Sequence, residues 1–449
     1  MTVTAGNPPG DFVQVGATRD GLEPYLDAAH RRGMRTVLVE TPAYLRWRRL
    51  LGRREFEVEV AVERPQDPDA VRTALAAAGV TPALVLTGFE RYVYAGFALA
   101  RALRVAPWPD VGDTFRPLDK REQREALLAG APQVAQPRFV PLGPDGGDAA
   151  DRLDGGDAAD RLDGGDAADQ LGFPQVIKPA DGGGGLGVLL VDGAAQRHRA
   201  LDRVSALVNY GGGAFSGIVA EEFVKGPEFS LQGVAHEGSA VLLSVCEKLT
   251  CLEEVPAEPG LSGFREVGHV ARPGDGAPPA LQELAQACLD ATGYRAGPFH
   301  VDVIQGPDGP VFVEMGFRLS GGGLVALVEK ATGADWAELA FRTHLGDAPV
   351  RPPSPDTGVG GTRIAGQISA MSEQELAAAE ALREPGMTVE IQLAAPPPDP
   401  AALPADDLPV LASDLARHTG AAGRVVLSGG PGDRIPALLH SLVADRLRG

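Results

Sequence analysis

Residues 175–188 read QVIKPADGGGGLGV. A short apolar run ends in Lys178-Pro179, four glycines follow at 182–185, and Gly187 opens a second run, GVLLV. This is a strand–glycine loop–strand pattern. A backbone so free of side chains can wrap its N–H groups around phosphate oxygens, with Lys178 beside them as a point charge. It is not a Walker A loop, because no GK[ST] follows and a strand stands where that motif needs a helix. A glycine run can equally be a plain flexible loop, so the rest of the chain must decide.

Upstream, strand-like segments at 12–16, 35–40, 56–62 and 82–87 alternate with helix-like ones at 22–32, 68–78 and 92–103. Gly33 and Gly79 stand where helices commonly end. The alternation predicts a mostly parallel α/β sheet. Downstream the signals change to dense strands at 175–178, 187–191, 217–221, 229–235, 240–246, 299–305 and 311–315. Helices are predicted at 197–208, 280–292 and 324–332, and a strand at 424–427 with a helix at 434–447 close the chain. Proline-rich stretches at 351–355 and 395–409 read as loops or linkers.

The net charge of −19 over 449 residues argues against nucleic acid and anionic membrane as partners, since both need excess Lys/Arg. Three cysteines, Cys246, Cys251 and Cys288, make neither a disulfide framework nor a CxxC zinc site. With no signal-peptide pattern at the N-terminus and no apolar run of membrane-spanning length, a cytoplasmic location is expected. Residues 145–169 are low in complexity: GGDAADRLD occurs twice, then GGDAADQL. The unit partly matches a calcium-binding nonapeptide, but Ala149 and Ala158 replace the glycine of the sharp turn. A duplication that lengthened a surface element is the simpler reading. The segment holds nine Asp and two Arg, so −7 of the −19 comes from it.

Two further segments carry candidate chemistry. In VAEEFVKGPEFS a strand delivers Glu221 and Glu222, an apolar Phe223-Val224 pair follows, and Glu228 enters the next strand after a turn at Gly226. Such a hinge can offer backbone groups to a purine edge and a carboxylate to ribose; it can also be a hairpin with solvated acids. In FHVDVIQGPDGPVFVEMGFR, a three-residue loop Pro307-Asp308-Gly309 would set Asp302 opposite Glu314 on one face. Two facing carboxylates are costly without a cation, and beside a triphosphate Mg²⁺ fits. Arg318 follows and leads into Leu319-Ser-Gly-Gly-Gly323. Its guanidinium can face a transferring phosphoryl group or a carboxylate.

Taken in order, Lys178 before a glycine hairpin, then EEFxxGxE, then D-x₁₁-E-x₃-R, the chain resembles the ATP-grasp superfamily. Asp119-Lys120 with Arg124 is similar to the family's DK-x₃-R segment, and the run from Gly88 to Leu103 to its E-x₂-V helix. Residues 386–390 and 423–429 resemble the C-terminal subdomain of carboxylate–amine ligases. The resemblance implies α/β and α+β architecture of the ATP-grasp type. It comprises an N-terminal parallel α/β domain (1–117), a central nucleotide-binding domain (118–350, with 145–169 inserted) and a C-terminal subdomain (351–449).

The resemblance also implies roles. Lys120 and Lys178 would contact ATP phosphates under a flap of Gly183, Gly184 and Gly185. Glu221, Glu222 and the backbone at Val224 would face adenine, and Glu228 the ribose. Asp302 and Glu314 would hold Mg²⁺, while Gly316 departs from the family's frequent Asn. Phe264-Arg-Glu-Val-Gly-His269 looks like the Glu/His pair of L-amino-acid ligases of the bacilysin type. Glu266, His269, Arg318, Gly321 and Gly322 would then face the substrates, with His269 as an ordinary loop histidine the alternative. The implied reaction is an ATP-dependent ligation of a small-molecule carboxylate to an amine, with an amino acid as one substrate, and the implied assembly is a homodimer. A carboxylase or purine-pathway ligase, a nucleotide-binding module without catalysis and a calcium-binding interaction protein are the competing readings.

Overall fold

The computed structural model describes residues 10–105, 115, 117, 119–142, 167–256, 258–349, 363–382, 385–395, 399–417, 421–429 and 434–447. Most of the nonapeptide repeat, the proline-rich 351–355 and the expected 350/351 boundary lie outside them.

The N-terminal strands β1 (Asp11–Val15), β2 (Thr36–Glu40), β3 (Val58–Ala61) and β4 (Pro82–Thr87) form a parallel sheet in the order β3-β2-β1-β4. Between them run α1 (Tyr25–Arg31), α2 (Pro42–Leu50) and α3 (Pro68–Ala77), and α4 (Val93–Leu103) follows β4. Alternate strand residues enter opposite layers, as a sheet covered on both faces requires. Val13, Val15, Val37 and Val39 pack with Val71, Leu75 and Leu99. Phe12 and Leu38 pack with Tyr25, Leu26 and Trp47 on the other side. Helix α2 is absent from the sequence reading, yet its signals are present. Pro42 sits in its first turn, and the Thr41 hydroxyl accepts from the Tyr44 amide at 3.3 Å.

Beyond α5 (Lys120–Gly130) the chain builds a mainly antiparallel sheet. Its strands are β5 (Phe139–Leu142), β6 (Gln175–Pro179), β7 (Leu189–Val191), β8 (Ile218–Glu222), β9 (Glu228–His236), β10 (Ser239–Glu254), β11 (Ser262–Pro273), β12 (Gly297–Gly306) and β13 (Gly309–Gly316). The order is β13-β12-β9-β10-β11-β7-β6-β8-β5. β14 (Ala365–Ala370) adds to β11, then β16 (Gly423–Gly429) and β15 (Met387–Leu393) beyond it. Helices α6 (Ala194–Ala206), α7 (Pro279–Thr292), α8 (Leu324–Thr332) and α9 (Trp336–His344) complete the part that frames the site. Within the expected linker at 395–409, short helical turns form at Pro400–Ala402 and Asp407–Val410, so it is not a plain loop.

The faces of this sheet differ. Leu231, Phe299, Val301 and Val303 turn toward Leu281, Leu284 and Cys288 of α7 and bury an apolar layer. Their sequence neighbours Ser230, Gln232, His300 and Asp302 turn the other way, because successive strand side chains alternate. The apolar core under the parallel sheet continues across the expected 117/118 boundary. Phe12 and Tyr25 share it with Trp336 and Phe341 of α9.

Candidate functional site

The β12–β13 hairpin sets the carboxylate pair. Asp302 pairs with Glu314 as expected, but by a different route. The turn has two residues, Pro307 and Asp308, with Gly306 opposite Gly309, and a bulge after Asp302 restores the offset. The three-residue loop is therefore corrected, while Gly309 does take positive φ, at 138°.

The carboxylates lie in a chain of charge running across the sheet. Lys120, first residue of α5, places Nζ 2.9 Å from Glu314 Oε2 and donates to the Gly182 carbonyl at 2.6 Å. One cation thus joins the base of the glycine flap to the hairpin. Asp302 Oδ1 accepts from the Ser230 hydroxyl at 2.5 Å, and Oδ2 accepts from Lys248 Nζ at 2.5 Å. Lys248 also meets Glu228 at 2.8 Å and Glu266 at 3.5 Å. Glu266 in turn is 2.8 Å from His269 Nε2. Both lie within β11, so His269 is a strand residue and not a loop histidine.

Burial pushes the Glu314 carboxyl up, but Lys120, Lys178 and Lys248 outweigh it and hold the group at about 2. For Glu266, desolvation is again outweighed, by His269 and Lys248, and the carboxyl is held well below its usual range. Burial pushes Lys248 down, yet Asp302, Glu228 and Glu266 keep its ammonium protonated far above the ordinary lysine range.

A second network lies under the flap. Lys178 at the end of β6 pairs with Glu221 Oε2 at 2.8 Å, and Arg124 Nε donates to Glu221 Oε1 at 2.7 Å. Burial and the neighbouring Arg124 and Lys120 charges outweigh Glu221 at Lys178, whose ammonium is pulled down to about 8. Glu221, assigned above to adenine, thus has both oxygens engaged by cations, and Glu222 pairs with Arg138 at 2.8 Å. Val224 is itself half-buried, in the segment between β8 and β9. The flap itself is half-buried at Gly183 and exposed at Gly184 and Gly185, the latter two at φ 64° and 74°, conformations that favour glycine.

Gly316 has a physical reason to lack a side chain. It pairs with His300, and a Cβ there would come within 2.0 Å of His300 Cε1. At the far end, Arg318 forms an ion pair with Glu90 and donates to the Leu319 carbonyl at 2.6 Å. Glu90 lies just past β4, next to the point where the parallel strand order reverses, which is where open α/β sheets receive ligands. Added side chains at Gly321 and Gly322 would meet nothing within 4 Å.

The sequence reading missed Lys248, His300 and Gln232. A lone lysine in the apolar run VLLSVCEKL was a visible signal, but its three acidic partners come from three other strands.

Among the described residues no group of three or more His, Cys, Asp or Glu side chains could hold a metal alone. Asp302 and Glu314 offer two facing carboxylates, which suits Mg²⁺ completed by phosphate oxygens and water. The lysines at either side of the flap suit the phosphates themselves. No helix among the described residues is long and apolar enough to cross a membrane.

Residues 171–325 match the ATP-grasp domain family model. Dapdiamide A synthase of Enterobacter agglomerans is 24% identical over 163 residues, a match spanning 36% of this chain and 37% of that protein's length. The L-amino acid ligase structure from Bacillus licheniformis superposes at TM-score 0.62, with 18% identity and 98% of each chain covered. Carboxyaminoimidazole ribonucleotide synthase from Aspergillus clavatus, solved with ATP, gives 0.61, with 15% identity over 98% of this chain and 99% of that one. Biotin carboxylase from Campylobacter jejuni gives 0.55 at 15% identity, covering 98% and 91%. Residues 171–325 thus form an ATP-grasp domain, and nearly the whole chain shares the fold of these solved structures.

Proposed function

We propose that the chain is an ATP-dependent carboxylate–amine ligase that forms an amide or peptide bond through an acyl phosphate, with an amino acid as a substrate. The observation that carries this reading is the row of charged side chains that runs from Lys120 and Glu314, past the facing Asp302, to Lys248, Glu266 and His269. It joins a phosphate-binding end, under the glycine flap, to a Glu/His end suited to an amine. The names of the dapdiamide synthase and the L-amino acid ligase agree with it.

Lys120 and Lys178 would hold the ATP phosphates, with Glu228 toward the ribose and the stretch at Glu222–Val224 toward the base. Asp302 and Glu314 would hold Mg²⁺, which when bound neutralises phosphate charge. Arg318 would take the substrate carboxylate in place of Glu90 and keep its oxygens in line with the γ-phosphate. Attack by a carboxylate oxygen gives acyl phosphate and ADP. The amine nitrogen then attacks the acyl carbon, phosphate leaves with the C–O bond electrons, and the ammonium proton passes to the Glu266–His269 pair. Flap closure would keep water from the acyl phosphate. We place the protein in the cytoplasm, with domains divided near residues 117 and 350, and regard a homodimer as its expected assembly.

The test is phosphate release with Mg-ATP across pairs of amino acids and small acids, with amide product measured alongside. Amine-dependent release matched by amide supports the ligase. Release with bicarbonate or an aminoimidazole nucleotide would instead favour the carboxylase or purine-type reading, which the likeness to carboxyaminoimidazole ribonucleotide synthase keeps in view. ATP binding without turnover on any pair would favour a nucleotide-binding module.

A further inference from the structure

Beside the charged chain lies a row of polar side chains that the proposed reaction does not use. Ser244 of β10 pairs with Gln232 of β9, and Gln232 pairs with His300 of β12. Gln232 and Ser244 are fully buried, and Ser320 is 7% exposed. Neither amide atom of Gln232, nor the Ser244 or Ser320 hydroxyl, has a hydrogen-bond partner among the described residues. Buried polar atoms without partners cost about 1–3 kcal/mol each, so four together point to something that completes them.

One contact and two shared apolar clusters place the segment between β13 and α8 on the sheet face that carries this row. Leu319 packs in one apolar cluster with Val234, two residues along β9 from Gln232. Leu324 packs with Cys246, two residues along β10 from Ser244. The His300 ring reaches the Arg318 carbonyl at 3.4 Å. The segment 318–324 therefore runs over the sheet face that carries Gln232 and Ser244, with Arg318 beside His300 and Ser320 two residues further on.

We infer that Gln232, Ser244 and Ser320 form a subsite that selects a substrate bearing an uncharged hydrogen-bonding group, a carboxamide or a hydroxyl, next to the carboxylate held by Arg318. An amide side chain supplies one acceptor and two donors, which complement a carboxamide, and the hydroxyls rotate to match either. A site lined this way rejects the apolar isostere strongly, because the analogue leaves the buried groups unpaired. The inference rests on the ligase reading.

Matched substrate pairs test it: asparagine against leucine, glutamine against methionine, threonine against valine. Wild type should favour the polar member by about tenfold or more in kcat/KM. Gln232→Met should cut that ratio by about tenfold while KM for ATP stays unchanged, and Gln232→Glu should weaken the preference for carboxamides. Thermal melting of each variant checks folding; should Gln232→Met fail to fold, Ser244→Ala and Ser320→Ala carry the same measurement. Ratios unchanged in the folded variants would show that these atoms hold structural water only, and the subsite falls. If wild type makes no amide from any pair, the ligase reading itself fails. Calorimetric titration of the same pairs into ATP-loaded wild type and variants then judges the subsite separately, and equal affinities would overturn it.

Discussion

Both sheets bury charge, and they do so in opposite ways. Around the parallel sheet the buried arginines are enclosed, mostly by near neighbours, although Arg19 also meets Asp414 at 3.8 Å. Arg48, 2% exposed, pairs with Glu23, which also accepts from Gln14 and the Thr18 amide. The Arg19 guanidinium lies 3.6 Å from the centres of both the Tyr44 and Phe89 rings and pairs with Glu40 at 2.8 Å. On the antiparallel sheet charges are shared: Lys248 serves three carboxylates, and Glu221 serves two cations. Enclosed pairs resist rearrangement. Shared ones can exchange a protein partner for a phosphate or a cation at little net cost, because no single bond there holds the fold.

Breaking the enclosed network should have the largest effect. Arg48→Met leaves Glu23 buried without its cation and should lower stability by about 3–5 kcal/mol in urea unfolding. Catalytic turnover per folded molecule should stay at the wild-type level. Lys178→Met should do the reverse, reducing turnover about 100-fold with little change in melting temperature. Unchanged turnover would remove Lys178 from the phosphate site.

Gly316→Asn should cost about 1–3 kcal/mol by forcing the His300 ring aside, and a second change, His300→Gly, should recover most of it. Without recovery, the clash between those two positions is not what keeps Gly316 bare. The smallest effect concerns pH. Lys178 in the free protein titrates at about 8, so it is charged below that pH and neutral above it. KM for ATP should therefore rise about tenfold between pH 7 and pH 9, and Lys178→Arg, which stays charged, should flatten the rise.

Strand and helix periods made much of the fold legible. β4 and α8 lie where the sequence pattern puts them, and the parallel direction of β1 to β4 follows from the helices between those strands. The Asp302–Glu314 pairing was legible because a tight turn and a two-residue side-chain period leave few registers. The turn length was off by one, since a bulge has no strong signature in a single sequence.

What the amino-acid sequence determined by itself was local: the glycine hairpin after Lys178, the alternation that gives one sheet face its acids, and the identity of the groups available. Tertiary structure alone decided who meets whom. Arg318 faces Glu90 across 228 residues of chain, and Lys120 reaches Glu314 from a helix far upstream. Leu324 shares an apolar cluster with Cys246 of β10 only because the chain leaving β13 folds back across the sheet. Such partners depend on strand order and crossover paths, and those are settled by burying the apolar face against α7, not by the polar residues that end up together.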